Sequence, residues 1–139
     1  MSSDLKKILI ANRGEIAVRI ARTAADLGIT TVAVYSPDDA ECLHVRHADE
    51  AVELIGAGVR AYLDIDQIIN IAHETGCDGI HPGYGLLSER TDFVAACDEN
   101  GLVFIGPSAK TMSMQGDKVA ARSLAKQAGV PVIEGVDTL

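Results

Sequence analysis

Short apolar runs alternate with amphipathic stretches along most of the chain. Four amphipathic stretches end in a glycine, and a short apolar run follows each one. The glycines are Gly28, Gly76, Gly101 and Gly129, and the runs cover 31–35, 79–81, 103–105 and 130–133. A glycine at this place accepts the positive φ that ends a helix, and continuous apolar runs of this length are typical of buried strands. The pattern therefore predicts helices that alternate with buried strands.

Further segments complete a β-α-β succession. We predict additional strands over 7–11 and 51–54, and helices over 16–27 and 65–75. Such alternation is typical of an α/β fold, in which helices flank a Rossmann-like parallel sheet. Ligands bind these sheets at the carboxyl ends of the strands, and the polar loops 12–15, 82–89 and 106–108 are predicted to share that edge.

The segment 112–118 marks a change in character. A short helix is predicted to end at Gly116, and a new helix then runs to Ala128. We interpret this place as a hinge or domain boundary, with one domain over 1–115 and the start of another over 116–139. The strand predicted over 130–133 has little sequence behind it, which is typical of a chain that is cut short.

Composition narrows the class of protein. The 139 residues are 47% hydrophobic and 23% charged, as in one soluble globular core. A net charge of -8 argues against nucleic acid as a partner, because such binding needs clustered Lys and Arg. The apolar run at 8–11 is too short for a signal peptide or a membrane span, so we expect a cytosolic protein with no membrane partner. Cys42, Cys77 and Cys97 are odd in number and widely spaced, which favours reduced thiols, the last two in the core.

The loop 81–89 carries the richest chemistry. Pro82, Gly83 and Gly85 can hold the backbone close to a ligand, because glycine has no Cβ and accepts positive φ. His81, Tyr84, Ser88 and Glu89 add a proton-transfer group, a flat stacking face, a hydroxyl and a carboxylate. Two interpretations are open, a loop that faces a ligand and a tight structural turn. The concentration of function on loops favours the first.

The turn after the first strand lacks two common nucleotide-binding signatures. Only Gly14 is present where a dinucleotide-binding fold has three glycines, and no GxxxxGK[ST] motif occurs. We therefore expect neither nicotinamide or flavin binding nor a P-loop. Arg13 and Glu15 occupy this turn, and the simplest explanation for them is an ion pair at the helix start.

Two other sets of residues have both an ordinary and a chemical explanation. Cys42, His44 and His47 are of the types that bind zinc, but a solvated helix that carries the two histidines is favoured, and we expect no metal site. His73 is predicted on an exposed helical face. Lys118 starts the last helix, where free N–H groups attract an anion, and a solvated lysine is the alternative.

Four ordered motifs together resemble the N-terminal part of biotin carboxylase. They are ILIANRGEIA (8–17), HPGYGLLSE (81–89), FIGPS (104–108) and MQGDK (114–118). The resemblance implies a pre-ATP-grasp domain over 1–115 and the beginning of an ATP-grasp domain over 116–139. It implies ATP-dependent carboxylation of carrier-bound biotin by bicarbonate, with carboxyphosphate as the intermediate. The carboxylated biotin would serve an acyl-CoA carboxylase, as in fatty acid biosynthesis, or a pyruvate carboxylase. The alternatives are the pre-ATP-grasp domain of another ligase, such as carbamoyl-phosphate synthetase, and a noncatalytic interaction module.

The same resemblance implies cofactors, partners and residue roles. ATP, Mg²⁺ or Mn²⁺, and biotin on a carrier domain are the expected cofactors. The partners are the ATP-grasp domain of the same chain, the carrier domain, the carboxyltransferase and a second copy, with Arg19 and Arg22 at or near the dimer contact. Lys118 corresponds to a lysine that contacts the ATP phosphates. The biotin side of the cleft corresponds to His81, Pro82, Gly83, Tyr84 and Gly85.

Catalytic residues and metal ligands of this family lie beyond position 139, so none is expected within the chain. The chain alone is therefore expected to be inactive. A cytoplasmic location is expected, or a mitochondrial one for a processed chain.

Overall fold

The fold is a five-stranded parallel sheet in the order β3-β2-β1-β4-β5, flanked by helices. The computed structural model describes residues 5–116 and 118–133, with side chains described over 5–114 and 121–133. The strands are β1 (Lys7–Ile10), β2 (Thr30–Tyr35), β3 (Glu50–Glu53), β4 (Gly79–His81) and β5 (Val103–Phe104). The helices are α1 (Gly14–Asp26), α2 (Leu43–His47), α3 (Gly58–Ala61), α4 (Ile65–Glu74), α5 (Thr91–Glu99), α6 (Ala109–Gly116) and α7 (Lys118–Gln127). The predicted α/β fold class is confirmed.

The first strand is the centre of the sheet because it is apolar on both faces. Ile8 lies beside Thr31 of β2 and Gly79 of β4, so β1 has a parallel neighbour on each side. Leu9 and Ile10 point to opposite faces, and each is fully buried. A strand buried on both faces is what a continuous apolar run predicts.

Two separate apolar clusters fill the two faces of the sheet. On one face, Ile8 and Ile10 pack against Ala17 and Ile20 of α1. On the other, the cluster draws its residues from β1, β2, β4, α3, α4 and α5 and includes Phe93. The ring of Phe93 meets that of Phe104 edge to face at 5.8 Å, the geometry that aromatic pairs favour.

All four glycines predicted to end helices have left-handed backbone angles. Their φ values are 70° at Gly28, 68° at Gly76, 69° at Gly101 and 73° at Gly129. The helix boundary predicted near residue 116 stays a prediction, because Asp117, between α6 and α7, lies outside the described residues. Among the described residues, no helix is long and apolar enough to cross a membrane.

The strand predicted over 130–133 is wrong, because these residues form neither strand nor helix. Val130 is 53% exposed and Ile133 is 91% exposed, so the apolar run is not buried. A strand needs a neighbour for its backbone hydrogen bonds, and none of the described strands pairs with this segment.

Candidate functional site

The ends of β1 and β4 form one continuous edge of the sheet. The N–H of Ala11 donates to the carbonyl of His81 at 2.9 Å, which extends the pairing of the two strands beyond β1 itself. The turn that follows Ala11 and the loop that follows His81 therefore begin side by side. At the next strand, the Ile105 N–H donates to the Ile80 carbonyl at 2.9 Å and brings residues 106–108 to the same edge. This is the shared edge of loops that the strand pattern predicts.

Asn12 ties the first of these loops to the second. Its side-chain Nδ2 donates to the carbonyl oxygens of Pro82 at 2.7 Å and Tyr84 at 3.0 Å. Its Oδ1 accepts the backbone N–H of Arg13 at 2.9 Å, and the residue is 3% exposed. One buried amide thus satisfies two loop carbonyls and one turn N–H. Asn12 was not among the site residues predicted from sequence.

The loop itself follows an unusual backbone path. Gly83, Gly85 and Leu86 all have positive φ, at 66°, 65° and 48°. A Cβ on Gly83 would stand 2.5 Å from Asn12 Nδ2, whereas a Cβ on Gly85 would meet nothing within 4 Å. Glycine is therefore required at 83 by conformation and by space, and at 85 by conformation alone. The fully buried Leu87 then returns the chain to the core.

His81 supports the loop from the sheet. Its Nδ1 accepts the Gly83 N–H at 3.0 Å, so the proton of the neutral ring is on Nε2. Burial lowers the pKa of His81 below its ordinary value of 6.5, which also favours the neutral ring. The side chain lines an apolar groove of about 420 Å³ beneath α1, with Ile16, Ile20 and Ile105 among its neighbours.

Tyr84 is an exposed residue of the loop. The residue is 69% exposed, although its carbonyl accepts a hydrogen bond from Asn12 Nδ2. Pro82 is buried, and Gly85 is exposed. The loop therefore has a fixed backbone and presents an aromatic ring to the outside.

Arg13 pairs with Asp39 and not with Glu15, so the predicted pair at the helix start is wrong. Arg13 Nε donates to Asp39 Oδ2 at 2.6 Å, and its Nη2 donates to Oδ1 in a bidentate pair. Glu15 pairs instead with Arg19, one helical turn further along, at 2.9 Å. Asp39 follows β2, and the carboxyl end of β2 lies beside that of β1, which is how the two side chains meet.

Tyr62 completes a buried network around Asp39. Its hydroxyl donates to Asp39 Oδ2 at 2.6 Å and accepts the Ser36 N–H at 3.1 Å. The Arg13 guanidinium also lies 5.8 Å from the centre of the Tyr62 ring. The hydrogen bonds from Arg13 hold the pKa of Asp39 well below its usual range, and burial together with Asp39 raises the pKa of Tyr62 to about 12. The Arg13 turn is thereby fixed to the end of β2.

The predicted helix is present as α2 (Leu43–His47), but its first histidine is not solvated as predicted. His44 is 1% exposed, and its Nε2 donates to the Val34 carbonyl at 3.3 Å. Burial lowers the pKa of His44. Cys42 Sγ lies 3.5 Å from Asp39 Oδ1. Over the described ranges no group of three or more His, Cys, Asp or Glu side chains could hold a metal ion.

The remaining predictions concern four single residues. His73 is exposed on α4, as predicted. Cys77 and Cys97 are buried and free, as predicted. Lys118 is the first residue of α7, but its side chain lies outside the described part, so its contact with an anion stays a prediction.

Comparison with known proteins identifies the family. The family model described as "Biotin carboxylase, N-terminal domain" matches residues 4–112. The chain belongs to this family. The resemblance to biotin carboxylase is confirmed, and the matched range contains the first three of the four sequence motifs.

The curated relatives of this biotin carboxylase N-terminal domain are longer carboxylases. A biotin carboxylase of Halalkalibacterium halodurans is 56% identical over 134 residues, which are 95% of this chain and 29% of that protein. The mitochondrial pyruvate carboxylase of Mus musculus is 54% identical over 137 residues, which are 96% of this chain and 12% of that protein. The chain thus spans less than a third of either relative.

Solved structures of biotin carboxylase domains have the same fold. The biotin carboxylase domain of a single-chain bacterial carboxylase matches with a TM-score of 0.89 and 54% identity, over 96% of this chain and 31% of that one. The biotin carboxylase domain dimer of Hydrogenobacter thermophilus 2-oxoglutarate carboxylase, solved with MgADP, ADP and bicarbonate, matches with a TM-score of 0.88 and 45% identity. That match covers 96% of this chain and 29% of the solved one.

Proposed function

We propose that this chain serves as the N-terminal domain of an ATP-dependent biotin carboxylase. In that reaction ATP and bicarbonate form carboxyphosphate and ADP, and the carboxyl group then passes to a ureido nitrogen of carrier-bound biotin with release of phosphate. The observation that carries the proposal is the clamped loop at 81–85, at the carboxyl edge of the sheet, in a chain more than half identical to biotin and pyruvate carboxylases.

The loop supplies the biotin side of the cleft in this proposal. Its fixed backbone at Pro82, Gly83 and Gly85 and the exposed ring of Tyr84 offer a rigid, partly apolar surface for a bicyclic ring. The neutral His81 holds the Gly83 N–H and so supports that surface from below. This chain contributes position rather than proton transfer at the reacting atoms.

The nucleotide side is proposed to begin at Lys118. At the helix start that the sequence predicts, a lysine would add a full charge to the positive end of the helix dipole, which suits the ATP phosphates. Magnesium or manganese would neutralise the phosphates, and we assign it no ligand among the described residues. We propose the domain boundary between 115 and 116, where the sequence changes character.

Partners follow from the same proposal. They are the ATP-grasp domain, the biotin carrier domain and the carboxyltransferase, in the cytoplasm or the mitochondrion. A homodimer contact is proposed at Arg19 and Arg22, which line a groove between α1 and α2 together with Leu43, itself 56% exposed. Identity to a pyruvate carboxylase and to a biotin carboxylase is nearly equal, so the proposal concerns the half-reaction that both names share.

A chimera tests this function. The 139 residues replace the matching segment of the Halalkalibacterium halodurans enzyme, and biotin- and bicarbonate-dependent ATP hydrolysis is measured. We expect turnover within about tenfold of the natural relative, since a loss of tenfold corresponds to only about 1.4 kcal/mol. The 139-residue chain alone should show no biotin-stimulated phosphate release. A chimera that folds and binds ATP but does not respond to biotin would overturn the proposal.

Tyr84 gives the corresponding test within the site. In the chimera, Tyr84→Ala removes the exposed ring and should raise the KM for biotin by about tenfold, in line with the roughly 1–2 kcal/mol that a buried aromatic face contributes. Tyr84→Phe keeps the ring and is the matched control, with an unchanged KM. Equal KM values in all three proteins would remove Tyr84 from the biotin surface.

A further inference from the structure

We propose that Asn12 is the positioning residue of the biotin-facing loop: its buried side-chain amide sets the backbone of residues 82–84 and thereby the place of the Tyr84 ring. This inference rests on the proposed function of the loop. Asn12 lies on a different strand end from the loop, 70 residues away from Pro82 in sequence.

Few hydrogen bonds within the loop fix the backbone of residues 82–85. Within the described part of the chain, the recorded bonds of 82–85 are the Gly83 N–H to His81, the two carbonyls to Asn12, and the Ser88 N–H to the Gly85 carbonyl at 2.8 Å. The Asn12 amide therefore supplies both bonds to the carbonyls on either side of Gly83. These carbonyls flank the residue whose positive φ turns the chain.

Residue type at position 12 is decisive for this arrangement. Two carbonyl acceptors require a group with two N–H donors, and the adjacent Arg13 N–H requires an acceptor on the same side chain. A primary amide is the neutral group of this size that offers both. A carboxylate of the same shape would place negative charge against two carbonyl oxygens. Asn12 is only 3% exposed, so water could not screen this repulsion.

The fit between Asn12 and Gly83 makes the contact steric as well as polar. A Cβ on residue 83 would stand 2.5 Å from Nδ2, 2.9 Å from Cγ and 3.1 Å from Cβ of Asn12. The backbone at Gly83 thus lies directly against the Asn12 side chain, from its Cβ to its Nδ2. Movement of either one must displace the other.

Asn12 is in turn held by the network at the end of β2. Its neighbour Arg13 is fixed by Asp39, whose side chain is 5% exposed and also accepts from Tyr62. The turn therefore keeps its place without the loop, which is the property that a positioning residue needs. Over the described residues no hydrogen bond is made by the exposed Tyr84 ring, and Tyr84 takes its position through its carbonyl.

The first experiment uses Asn12→Asp, with Asn100→Asp as the matched control. Asn100 also donates its amide to a carbonyl, that of Ala96 at 2.9 Å, but on an exposed helix end away from the loop. In the active chimera we expect Asn12→Asp to lower kcat/KM for biotin at least tenfold while the KM for ATP stays within twofold. Asn100→Asp should leave both values unchanged. A general loss of folding would affect ATP and biotin alike, so this split separates positioning from stability.

Amide spectra of the 139-residue chain give a reading that is independent of catalysis. Asn12→Asp should shift the N–H resonances of Gly83, Tyr84 and Gly85, whereas Asn100→Asp should not. Unchanged loop resonances would overturn the inference. Shifted resonances together with an unchanged KM for biotin in the active chimera would overturn the link between this loop and biotin. An inactive unsubstituted chimera would overturn the proposed function, and the spectra would then decide the positioning role alone.

A second pair of variants covers the case in which Asn12→Asp fails to fold. Gly83→Ala and Gly85→Ala impose the same backbone penalty, because the two φ values are nearly equal, but only residue 83 meets Asn12. We expect a lower melting temperature for Gly83→Ala than for Gly85→Ala. In an Asn12→Ala background the contacts with Nδ2 and Cγ are gone and only the one with Cβ at 3.1 Å is left, so that difference should become clearly smaller. A difference of the same size in both backgrounds would contradict the coupling of Asn12 and Gly83.

Discussion

Asp39→Asn keeps the shape of a buried side chain and removes the charge that pairs with Arg13. The side chain of Asp39 is 5% exposed, and it accepts from Arg13 through both oxygens and from Tyr62 at 2.6 Å. A hydrogen bond to a charged group contributes about 1.5–3 kcal/mol, and the loss of one partner from a buried ion pair costs about 3–5 kcal/mol. Arg13 is 44% exposed at its side chain, so water can solvate it after the change, which reduces the loss. We therefore expect the free energy of unfolding to fall by about 2–3 kcal/mol.

Urea unfolding followed by circular dichroism measures this loss. The slope of the unfolding free energy against urea should not change, and the melting temperature should fall by about 6–12 °C for a chain of this size. The matched control is Asp92→Asn. Asp92 has the same bidentate geometry with Arg90, at 2.8 and 2.5 Å, but both side chains are at least half exposed. An exposed pair contributes little, so the control should lose less than half as much. Equal losses would refute the reasoning from burial.

The dependence on pH gives a second measurement on the same pair of proteins. The pKa of Asp39 in the folded state lies below its ordinary value of 3.8, so the unfolded state takes up a proton first as the pH falls. The stability contributed by Asp39 is therefore present above about pH 4 and is lost below it. The wild-type protein and Asp39→Asn should differ by a constant amount between about pH 5 and 8, and the difference should decrease below about pH 4. A difference that grows in acid would contradict this sign.

Three further measurements are expected to give clear results. The neutral His81 ring should carry its proton on Nε2 at pH 7 and titrate below pH 6.5. The free energy of unfolding should therefore fall as the pH drops below 6.5. A proton on Nδ1, which accepts the Gly83 N–H, would contradict this. Burial raises the pKa of Cys97 to about 12, so a thiol reagent should modify it at least about tenfold more slowly than the partly exposed Cys42. Equal rates would contradict the burial of Cys97. In the active chimera, Lys118→Met should weaken ATP binding or slow turnover by about tenfold or more, with little change in melting temperature. Kinetics equal to those of the wild type would show that Lys118 is an ordinary solvated lysine.

Local signals in the sequence predicted much of the fold. A helix that ends in glycine is specified by neighbouring residues, and all four predicted positions have the expected φ. The apolar runs of β1 and β4 likewise carry their own evidence of burial. The run at 130–133 has the same composition but no strand to pair with among those described, and its Ile133 is 91% exposed. A strand depends on its neighbour, which composition does not supply.

The parts of the site that sequence analysis missed depend on contacts between distant residues. Asp39 is 26 residues from Arg13, and Asn12 is 70 residues from Pro82. Arg13 and Glu15 looked like partners because they are close in sequence, but α1 directs Glu15 toward Arg19. For His44 the sequence favours a solvated helix over a metal site, yet that helix packs His44 against β2. One available signal was the position of Asp39 just after β2, at the edge where the other loops were already expected.

The two outermost strands of the sheet determine what another molecule meets there. β5 has two residues, Val103 and Phe104, and β3 has a glutamate at each end, Glu50 and Glu53. Aggregation by strand addition requires a long, flat and uncharged edge on which a second chain can continue the hydrogen-bond ladder. One edge here is too short for a stable ladder, and the other would bring the Glu53 carboxylates of two copies close together, whereas Glu50 is paired with Lys7 at 2.7 Å. Extension of the sheet from one molecule to the next is therefore disfavoured in both directions, and a net charge of -8 adds to the repulsion between copies at high concentration.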